Sequence, residues 1–510
     1  MQKTGRRGFL KGAAAGAAAI AATPQIVKGQ QAQQPAAQAL PGARLAAAET
    51  TPPPARVDVY TTERRGSDFM VDVLKTLNFE YIAANPGSAF RGLHESLVNY
   101  GGNKMPELLT ACHEETSVAM AHGYAKIEGK PMAVMAHGTV GVQHASMAIY
   151  NAFADRVPVY LILGNILDAQ WRRSDVEWAH SVQDAASMVR DYTKWDDSPV
   201  SLGHFAESAV RAYKIAMTPP MEPVVLVADA VLQEEPINED EARRLHIPKL
   251  TLTQPPAGDA NAVAEAARLL VAAESPVIVA GRAARTANGM KLLTELAETL
   301  QAPVLDRRLR MAIPTQHPLY NSSSIGEGDV VLALEVPDLW NATHSMTPVN
   351  KFGMEAKSLL KAGAKVVTIT ASELYLKSNY QDFGRYAEVD LAIAADAEAT
   401  LPSLIEACKK LITADRRRAY EARGKKYAEN WNRNRERDLD TARYGWDASP
   451  VSTARVTAEL WDQLKNEDWS LVADTTFFSY WPNRLWNMDK YHHFIGGHGA
   501  YGVGYQAGAS

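Results

Sequence analysis

Short apolar runs alternate with helical patterns along the chain from residue 57 to about residue 230. Four runs have the composition of buried strands and end in turn residues or an acid: "EYIAANPGS", "PMAVMAHG", "VPVYLILG" and "EPVVLVAD". A helical segment begins near Phe90, after the first run, and helical patterns separate the other runs. Because consecutive parallel strands need such crossovers, the alternation predicts a mostly parallel sheet covered on both faces.

A second α/β block follows a proline-punctuated boundary at 247–260. It has predicted helices at "NAVAEAARLLVAAES" and "GMKLLTELAETL", and predicted strands at "PVIVAG", "APVLD", "DVVLALE" and "AKVVTITA". Residues 409–445 mix charges of both signs and lack apolar strands, which predicts a solvated helical connector. A third block opens with the helix "STARVTAELWDQL" and the strand "SLVAD", and continues into a glycine-rich segment.

These patterns predict an α/β fold of three doubly wound parallel-sheet domains, of which the third is truncated. After its opening helix, the third block has only one strand, a glycine-rich segment and the beginning of another helix. These are too little for a complete domain. The predicted parts are a signal at 1–29, a tether at 30–56, a first domain at 57–235, a central domain at 250–410, a connector at 411–447 and the start of a third domain at 448–510.

The composition narrows the possible functions. A chain of 510 residues has room for about three domains, and 46% hydrophobic with 22% charged residues is typical of a globular protein. A formal charge of −5 gives no basis for binding nucleic acid. Cys112 and Cys408 are too few for a disulfide framework. After the N-terminus, no apolar run reaches the length of a membrane span.

The N-terminus predicts export. "TGRRGFLKGAAAGAAAIAATP" places Arg6 and Arg7 before a short Ala/Gly-rich stretch, which resembles a twin-arginine signal. The predicted location is the periplasm, with the signal removed. A disordered basic leader is the alternative interpretation. The Gln/Ala/Pro-rich residues 30–56 predict a flexible tether.

Two adjacent glutamates begin a predicted helix in "ACHEETSVAMAHGYAK" (111–126). At helical spacing, Glu114 shares a face with three small apolar residues: Val118, Ala121 and Ala125. Glu115 shares its face with Ala119, His122 and Lys126, which predicts a wetter surface. A buried, unpaired carboxylate costs several kcal/mol or takes up a proton, so its burial would point to function. Spacing alone also allows an ordinary glutamate favoured by the helix dipole.

Several motifs of residues 57–510 occur in an order and spacing that resemble one enzyme family: "NPGSAFRGLHESL", "HEETSVAMAHGYAKIEGKPMAVMAHG", "YNAFADRVPVYLILG", "YTKW" and "SPVIVAGRAA". They resemble the thiamine-diphosphate-dependent decarboxylase and acetolactate synthase superfamily. The resemblance implies a 2-oxo acid substrate and domains for the pyrimidine and the diphosphate of thiamine diphosphate. It also implies a homodimer or homotetramer, because active sites of this family form between the first domain of one subunit and the third domain of another.

The resemblance assigns roles within the first two blocks. Glu114 matches the catalytic glutamate that binds N1′ of the aminopyrimidine, and Pro86 and Gly87 stand in a cofactor-binding turn. Ser88 and His137 replace residues typical of acetolactate synthases and are more similar to benzoylformate decarboxylase. There, a serine and a histidine handle the substrate carboxylate and protons.

Other matches are weaker. His317 aligns with a second histidine of benzoylformate decarboxylase, although a His-Pro pair is widespread in the superfamily. Ser88 could be an ordinary turn residue and His137 a core histidine. His144 replaces the usual asparagine of the loop after His137. The clustered histidines predict no metal site, because no carboxylate or cysteine stands among them at ligand spacing.

The third block carries the matches for the diphosphate. Thr475 and Thr476 in "VADTTFFS" resemble the segment that binds the diphosphate, since hydroxyls and backbone N–H groups suit phosphate oxygens. Gly499 matches the residue that offers a carbonyl to the 4′-amino group, and Tyr501 replaces the apolar residue that supports the bent cofactor. The resemblance implies that a Gly-Asp-Gly followed by an Asn binds the Mg²⁺ of the diphosphate. Residues 57–510 contain no such motif, so the Mg²⁺ ligands are expected after residue 510. We therefore expect the chain as given to bind the cofactor weakly and to be inactive.

The leading hypothesis is thiamine-diphosphate-dependent decarboxylation or carboligation of a 2-oxo acid, similar to benzoylformate decarboxylase. An acetolactate-synthase-type carboligase is the alternative within the class. A non-catalytic paralogue acting as an oligomer partner or binding protein is the alternative of another class. FAD in the central domain has no support, since "AGRAARTANG" offers a turn but no specific flavin signal.

Overall fold

The computed structural model describes residues 63–173, 176–351, 353–377, 385–497, 499 and 504–510. The signal predicted at 1–29, the tether predicted at 30–56 and Tyr501 lie outside the described residues. None of the described helices is both long enough and apolar enough to cross a membrane.

The first block forms a six-stranded parallel sheet with the order β2-β1-β3-β4-β6-β5. Its strands are β1 (Tyr81–Ala84), β2 (Glu107–Thr110), β3 (Ala133–His137), β4 (Tyr160–Asn165), β5 (Trp195–Asp197) and β6 (Val224–Asp229). The central strands β3, β4 and β6 are buried along their whole length, as their continuous apolar runs predict. The edge strands β2 and β5 were not predicted, because they are short and only partly apolar.

The helices of this block cover both faces of the sheet, and the phenylalanine-containing turn after β1 is a 3₁₀ helix at Ser88–Phe90. The α-helices are α1 (Gly66–Thr76), α2 (Arg91–Glu95), α3 (Glu114–Glu128), α4 (Val140–Ala154), α5 (Val176–His180), α6 (Leu202–Met217), α7 (Ala230–Glu234) and α8 (Glu239–Arg244).

The central block has a five-stranded parallel sheet with the order β13-β12-β9-β7-β8 and a separate antiparallel pair, β10 and β11. The strands are β7 (Pro276–Ala280), β8 (Val304–Asp306), β9 (Val330–Leu334), β10 (His344–Pro348), β11 (Met354–Ser358), β12 (Lys365–Thr370) and β13 (Leu391–Ala394). The helices are α9 (Ala260–Ala272), α10 (Ala287–Leu300), α11 (Leu339–Thr343) and α12 (Ala397–Leu411).

The charged connector is one long helix, α13 (Ala414–Arg443), and its helical prediction is confirmed. It is not solvated on every side, because Tyr420 and Tyr427 are buried against the central block. The Tyr420 hydroxyl donates to the carbonyl of Val271 at 2.8 Å, which ties the helix to the end of α9.

The third block contains α14 (Thr453–Leu464), a 3₁₀ helix at Thr475–Phe478, α15 (Trp481–Leu485) and α16 (Tyr505–Ala509). The strand predicted at "SLVAD" is wrong. Leu471 makes only an isolated parallel bridge with Phe494, and the described residues of this block contain no strand with which it could form a ladder. An apolar run without a neighbouring strand cannot satisfy its backbone groups as a sheet.

Candidate active site

Polar residues from distant parts of the sequence meet at the carboxyl edge of the first sheet. "NPGS" (85–88) follows β1, Glu114 begins α3 shortly after β2, and His137 is the last residue of β3. Strands of a parallel sheet end at the same edge, which is where ligands bind in such folds. The Asn85 side-chain amide donates to Oε1 of Glu114 at 3.1 Å, so the cluster is connected directly.

Glu114 is buried, with an exposed fraction of 3%. Val118, Ala121 and Ala125 on its face are buried too, which confirms the dry face predicted from helical spacing. Its Oε2 is enclosed and makes no hydrogen bond with the described residues, and Nδ1 of the exposed His144 lies 3.4 Å from it. One oxygen of a buried carboxylate is therefore held by the protein and the other is left for another donor.

His137 lies beside the turn after β1. It is 7% exposed, and its ring contacts Phe90 with 5.7 Å between the ring centroids. A Cβ atom on Gly87 would lie 2.3 Å from Nε2 of His137, so the imidazole fits only because residue 87 has no side chain. Burial lowers the pKa of His137, and the neighbouring His180 lowers it further, while Glu114 opposes both effects.

His180, at the end of α5, is a site residue that the sequence patterns did not reveal. Its ring meets that of His137 edge to face, with 4.6 Å between the centroids. Asn85 was also missed, although it belongs to the "NPGS" motif. No local signal marks His180, because it lies 43 positions from His137, beyond three further elements.

The remaining predicted residues of the first two blocks are placed differently. Ser88 begins the 3₁₀ helix beside this cluster and is half-buried, whereas Pro86 is exposed. His317 does not join the cluster. Its Nε2 lies 3.3 Å from Oε1 of Glu298, and its Nδ1 accepts the N–H of Leu319, so both ring nitrogens are engaged inside the central block.

The second face of α3, which we predicted to be wetter, is buried. Ala119, His122 and Lys126 are not on a wet surface; they are buried beneath α16. The aromatic ring of Tyr505 covers both polar side chains, 4.5 Å from the His122 ring centroid and 4.8 Å from Nζ of Lys126. Periodicity could not show this, since the covering helix begins almost 400 residues later.

These side chains form an ionic cluster around Asp155, which follows α4 and is 2% exposed. We call it the Asp155 cluster: His122, Lys126, Asp155 and Arg282. Asp155 pairs with Lys126, accepts from His122 Nε2 at 2.9 Å and accepts from Arg282 Nε at 3.0 Å. It thereby connects the first block to the central block.

The cluster shifts the pKa values of its members. Burial lowers the pKa of Lys126 to about 7, against the attraction of Asp155. Burial, followed by the charge of Lys126, lowers the pKa of His122 to about 3. Burial alone would raise the pKa of Asp155, but its cationic neighbours outweigh burial and hold that pKa well below its usual range.

The cofactor-binding residues predicted in the third block lie beside the Asp155 cluster. Thr475 and Thr476 line a cavity of about 270 Å³, together with Arg307 and Arg308, whose charge suits phosphate oxygens. Gly499 packs against the backbone at the end of α4, where a Cβ atom would lie 2.3 Å from the nitrogen of Asp155. The glycine-rich segment therefore contacts the first block of its own chain on either side of residues 500–503.

Two histidine clusters do include carboxylates, contrary to the expectation from spacing. In the first group, the potential ligand atoms of His113, Glu114 and His144 lie within 4.8 Å of one another. In the second group, those of Asp468, His492 and His493 do the same. In the second group, Nδ1 of His493 accepts the backbone N–H groups of residues 489 and 490. Its neutral ring then carries its proton on Nε2, which offers no lone pair to a metal.

The residues at the carboxyl edge fit an aminopyrimidine. The enclosed Oε2 of Glu114 offers an acceptor for a protonated ring nitrogen. Gly141 packs closely against this carboxylate, since a Cβ atom there would lie 3.2 Å from Oε1 of Glu114 and 3.1 Å from Cβ of His137. A buried acceptor without a donor is what a protonated ring nitrogen requires.

Comparison with known families agrees with this geometry. Residues 64–188 match the thiamine pyrophosphate enzyme N-terminal TPP binding domain, and residues 263–404 match the thiamine pyrophosphate enzyme central domain. The chain belongs to the thiamine pyrophosphate enzyme family. Membership confirms the predicted family, the parallel α/β fold and thiamine diphosphate as the cofactor of the family.

Relatives within the thiamine pyrophosphate enzyme family include a synthase and a carboligase. Acetolactate synthase of Bacillus subtilis is 22% identical over 244 residues, covering 48% of this chain and 40% of its own length. Glyoxylate carboligase of Escherichia coli O157:H7 is 23% identical over 338 residues, covering 65% and 53%. The chain thus spans less than two thirds of the length of these curated relatives.

Among solved structures, benzoylformate decarboxylase from Polynucleobacter necessarius superimposes with a TM-score of 0.65 and 18% identity, over 88% of this chain and 76% of that one. This similarity supports the fold of the thiamine pyrophosphate enzymes.

Proposed function

We propose that the full-length protein uses thiamine diphosphate to decarboxylate a 2-oxo acid, or to ligate the product of that cleavage to a second carbonyl compound. The observation that carries the proposal is Glu114, a buried carboxylate whose Oε2 has no hydrogen bond with the described residues. A carboxylate in a low-dielectric site binds a protonated ring nitrogen more strongly than a solvated one does.

The bound cofactor would supply the nucleophile and electron sink for cleavage next to a carbonyl. Glu114 would bind N1′ of the pyrimidine through Oε2, while Asn85 holds Oε1 and sets the orientation of the carboxylate. The imidazole of His137 would exchange a proton with the substrate side of the site, and its lowered pKa keeps it in the basic form near neutral pH. Burial of both groups excludes water from the reacting centre.

We favour decarboxylation of the benzoylformate-decarboxylase type over an acetolactate-synthase-type reaction. The support is the position of His137, which contacts Gly87, and of Ser88, which follows Gly87 in the chain, at the edge where Glu114 lies. Products formed from pyruvate and from an aromatic 2-oxo acid would separate the two reactions. Release of an aldehyde from the aromatic acid is expected, and exclusive formation of acetolactate would contradict this preference.

The central test is Glu114→Gln in the full-length protein. We expect the hydrogen–deuterium exchange at C2 of bound thiamine diphosphate to slow by a factor of about 10² to 10⁴, the usual contribution of a positioned acid or base. Glu128→Gln is the matched control, because Glu128 is exposed at the other end of the same helix. Undiminished exchange in Glu114→Gln would refute the proposal.

We include three further elements in the proposal. Mg²⁺ would accompany the diphosphate, because two phosphates need a cation. The protein would act as a homodimer or homotetramer. It would be exported through the twin-arginine signal of Arg6 and Arg7 to the periplasm; these two arginines lie outside the described residues.

A further inference from the structure

Two imidazoles, His137 and His180, are in contact inside the candidate active site. Their ring centroids are 4.6 Å apart and the ring planes are inclined by 66°. Nδ1 of each ring is enclosed and makes no hydrogen bond with the described residues. Enclosed polar atoms without partners are uncommon in folded proteins, and their clustering at a site indicates a functional arrangement.

The segments that carry both rings are attached to the end of β4. The backbone N–H of Gly138, next to His137, donates to the carbonyl of Gly164 at 2.8 Å. The buried side chain of Asn165 donates to the carbonyl of Val182 at 2.7 Å and accepts its N–H at 3.2 Å. The segments that carry the two histidines are therefore attached to neighbouring residues of one strand.

Few charged groups face His137. His180 approaches it from α5 and Glu114 acts on it from α3, while the 3₁₀ helix after β1 contributes the uncharged ring of Phe90. If both imidazoles were protonated, two positive charges would lie about as far apart as the ring centroids, 4.6 Å, in a site that is partly shielded from water. Like charges at that distance oppose each other strongly, so a proton on one imidazole would disfavour a proton on the other.

We propose that His180 is a positioning residue that keeps the imidazole of His137 uncharged and holds it against Gly87. Its effect on turnover rests on the proposed function; its effect on His137 does not. Burial, and after it the interaction with His180, lowers the pKa of His137, in keeping with this role. A neutral imidazole can accept a proton during the reaction and return it, which a permanently charged one cannot.

The experiment is an NMR titration of ¹³C-labelled histidine in the full-length protein without cofactor or substrate. The His137 signal is assigned by its loss in His137→Gln. His180→Phe preserves the ring contact but removes the ring nitrogens, and His180→Asn removes the ring as well. His204→Asn is the control, since His204 belongs to α6 and pairs with Asp197 at 3.0 Å.

We expect the pKa of His137 to rise by about half a unit or more in both His180 variants and to stay unchanged in the control. A pKa of His137 that is the same in the wild type, both His180 variants and His204→Asn would overturn the proposal. Because no cofactor is present, this result is independent of whether the chain turns over a 2-oxo acid.

If thiamine-dependent turnover is found, a second measurement applies. The limb of the pH profile of kcat/KM that belongs to His137 should move to higher pH in His180→Phe. A lower plateau with an unmoved limb would show that His180 only supports the local packing, and this too would overturn the proposal.

Discussion

Gly87 and His137 are in contact so close that residue 87 has no room for a side chain. A Cβ atom on residue 87 would lie 2.3 Å from Nε2 and 2.6 Å from Cδ2 of His137. The φ of Gly87 is −150°, an extended conformation that any residue can adopt. Space, and not backbone conformation, therefore requires glycine at this position.

Gly87→Ala should displace the imidazole of His137 without unfolding the protein. A displacement of about 1 Å in an active site can reduce the rate by about 10²-fold, so we expect kcat to fall by that order. Gly203→Ala is the control, because nothing lies within 4 Å of the position its Cβ would take. Steady-state kinetics of both variants, with circular dichroism to verify folding, test this. Full activity of Gly87→Ala would contradict the assigned position of His137.

Asp155→Ala should destabilise the protein strongly, because it leaves Lys126, His122 and Arg282 without their shared carboxylate. Removal of one partner of a buried ion pair costs about 3–5 kcal/mol. Asp240→Ala is the control; it breaks an exposed pair with Arg243, which is worth about 0–1 kcal/mol. Urea denaturation of the two variants gives the comparison. A loss below about 1 kcal/mol in Asp155→Ala would show that the Asp155 cluster does not hold the blocks together.

Acidification should destabilise the folded state through His122. Its pKa is about 3 in the folded protein, below its ordinary value of 6.5, so between these values the unfolded chain binds a proton that the folded chain does not. The free energy of unfolding should thus fall by about 1.4 kcal/mol per pH unit as the pH decreases below 6.5, from this group alone.

Denaturation between pH 6.5 and 4.5 measures that slope. His122→Gln should lower it by this amount, whereas His246→Gln, which changes an exposed histidine, should leave it as in the wild type. Equal slopes in wild type and His122→Gln would mean that His122 does not stay neutral in the folded protein.

The local patterns predict the central elements well. β3, β4 and β6 were predicted from continuous apolar runs, since strands buried on both faces must be apolar at every position. The connector helix was predicted from its charges, and the burial of Glu114 from the residues four, seven and eleven positions later. These features depend on neighbours within one element, which are visible as spacing.

Features that depend on distant partners were missed or predicted wrongly. His122 and Lys126 look solvated within α3 and are buried because α16 covers them. The run "SLVAD" has strand composition, but strand formation needs a second strand, and Leu471 only bridges to Phe494. Carboxylates such as Asp468 stand beside histidines that are more than twenty positions away in the chain.

Periodicity and motif order were sufficient for the α/β architecture, the family and the burial of Glu114, because each is encoded within one element or in the order of elements. The tertiary fold was needed for the contacts of His137 with His180 and Gly87 and for the Asp155 cluster. Those contacts arise where the ends of parallel strands and the surfaces of separate blocks meet, and burial there is a property of the assembled chain.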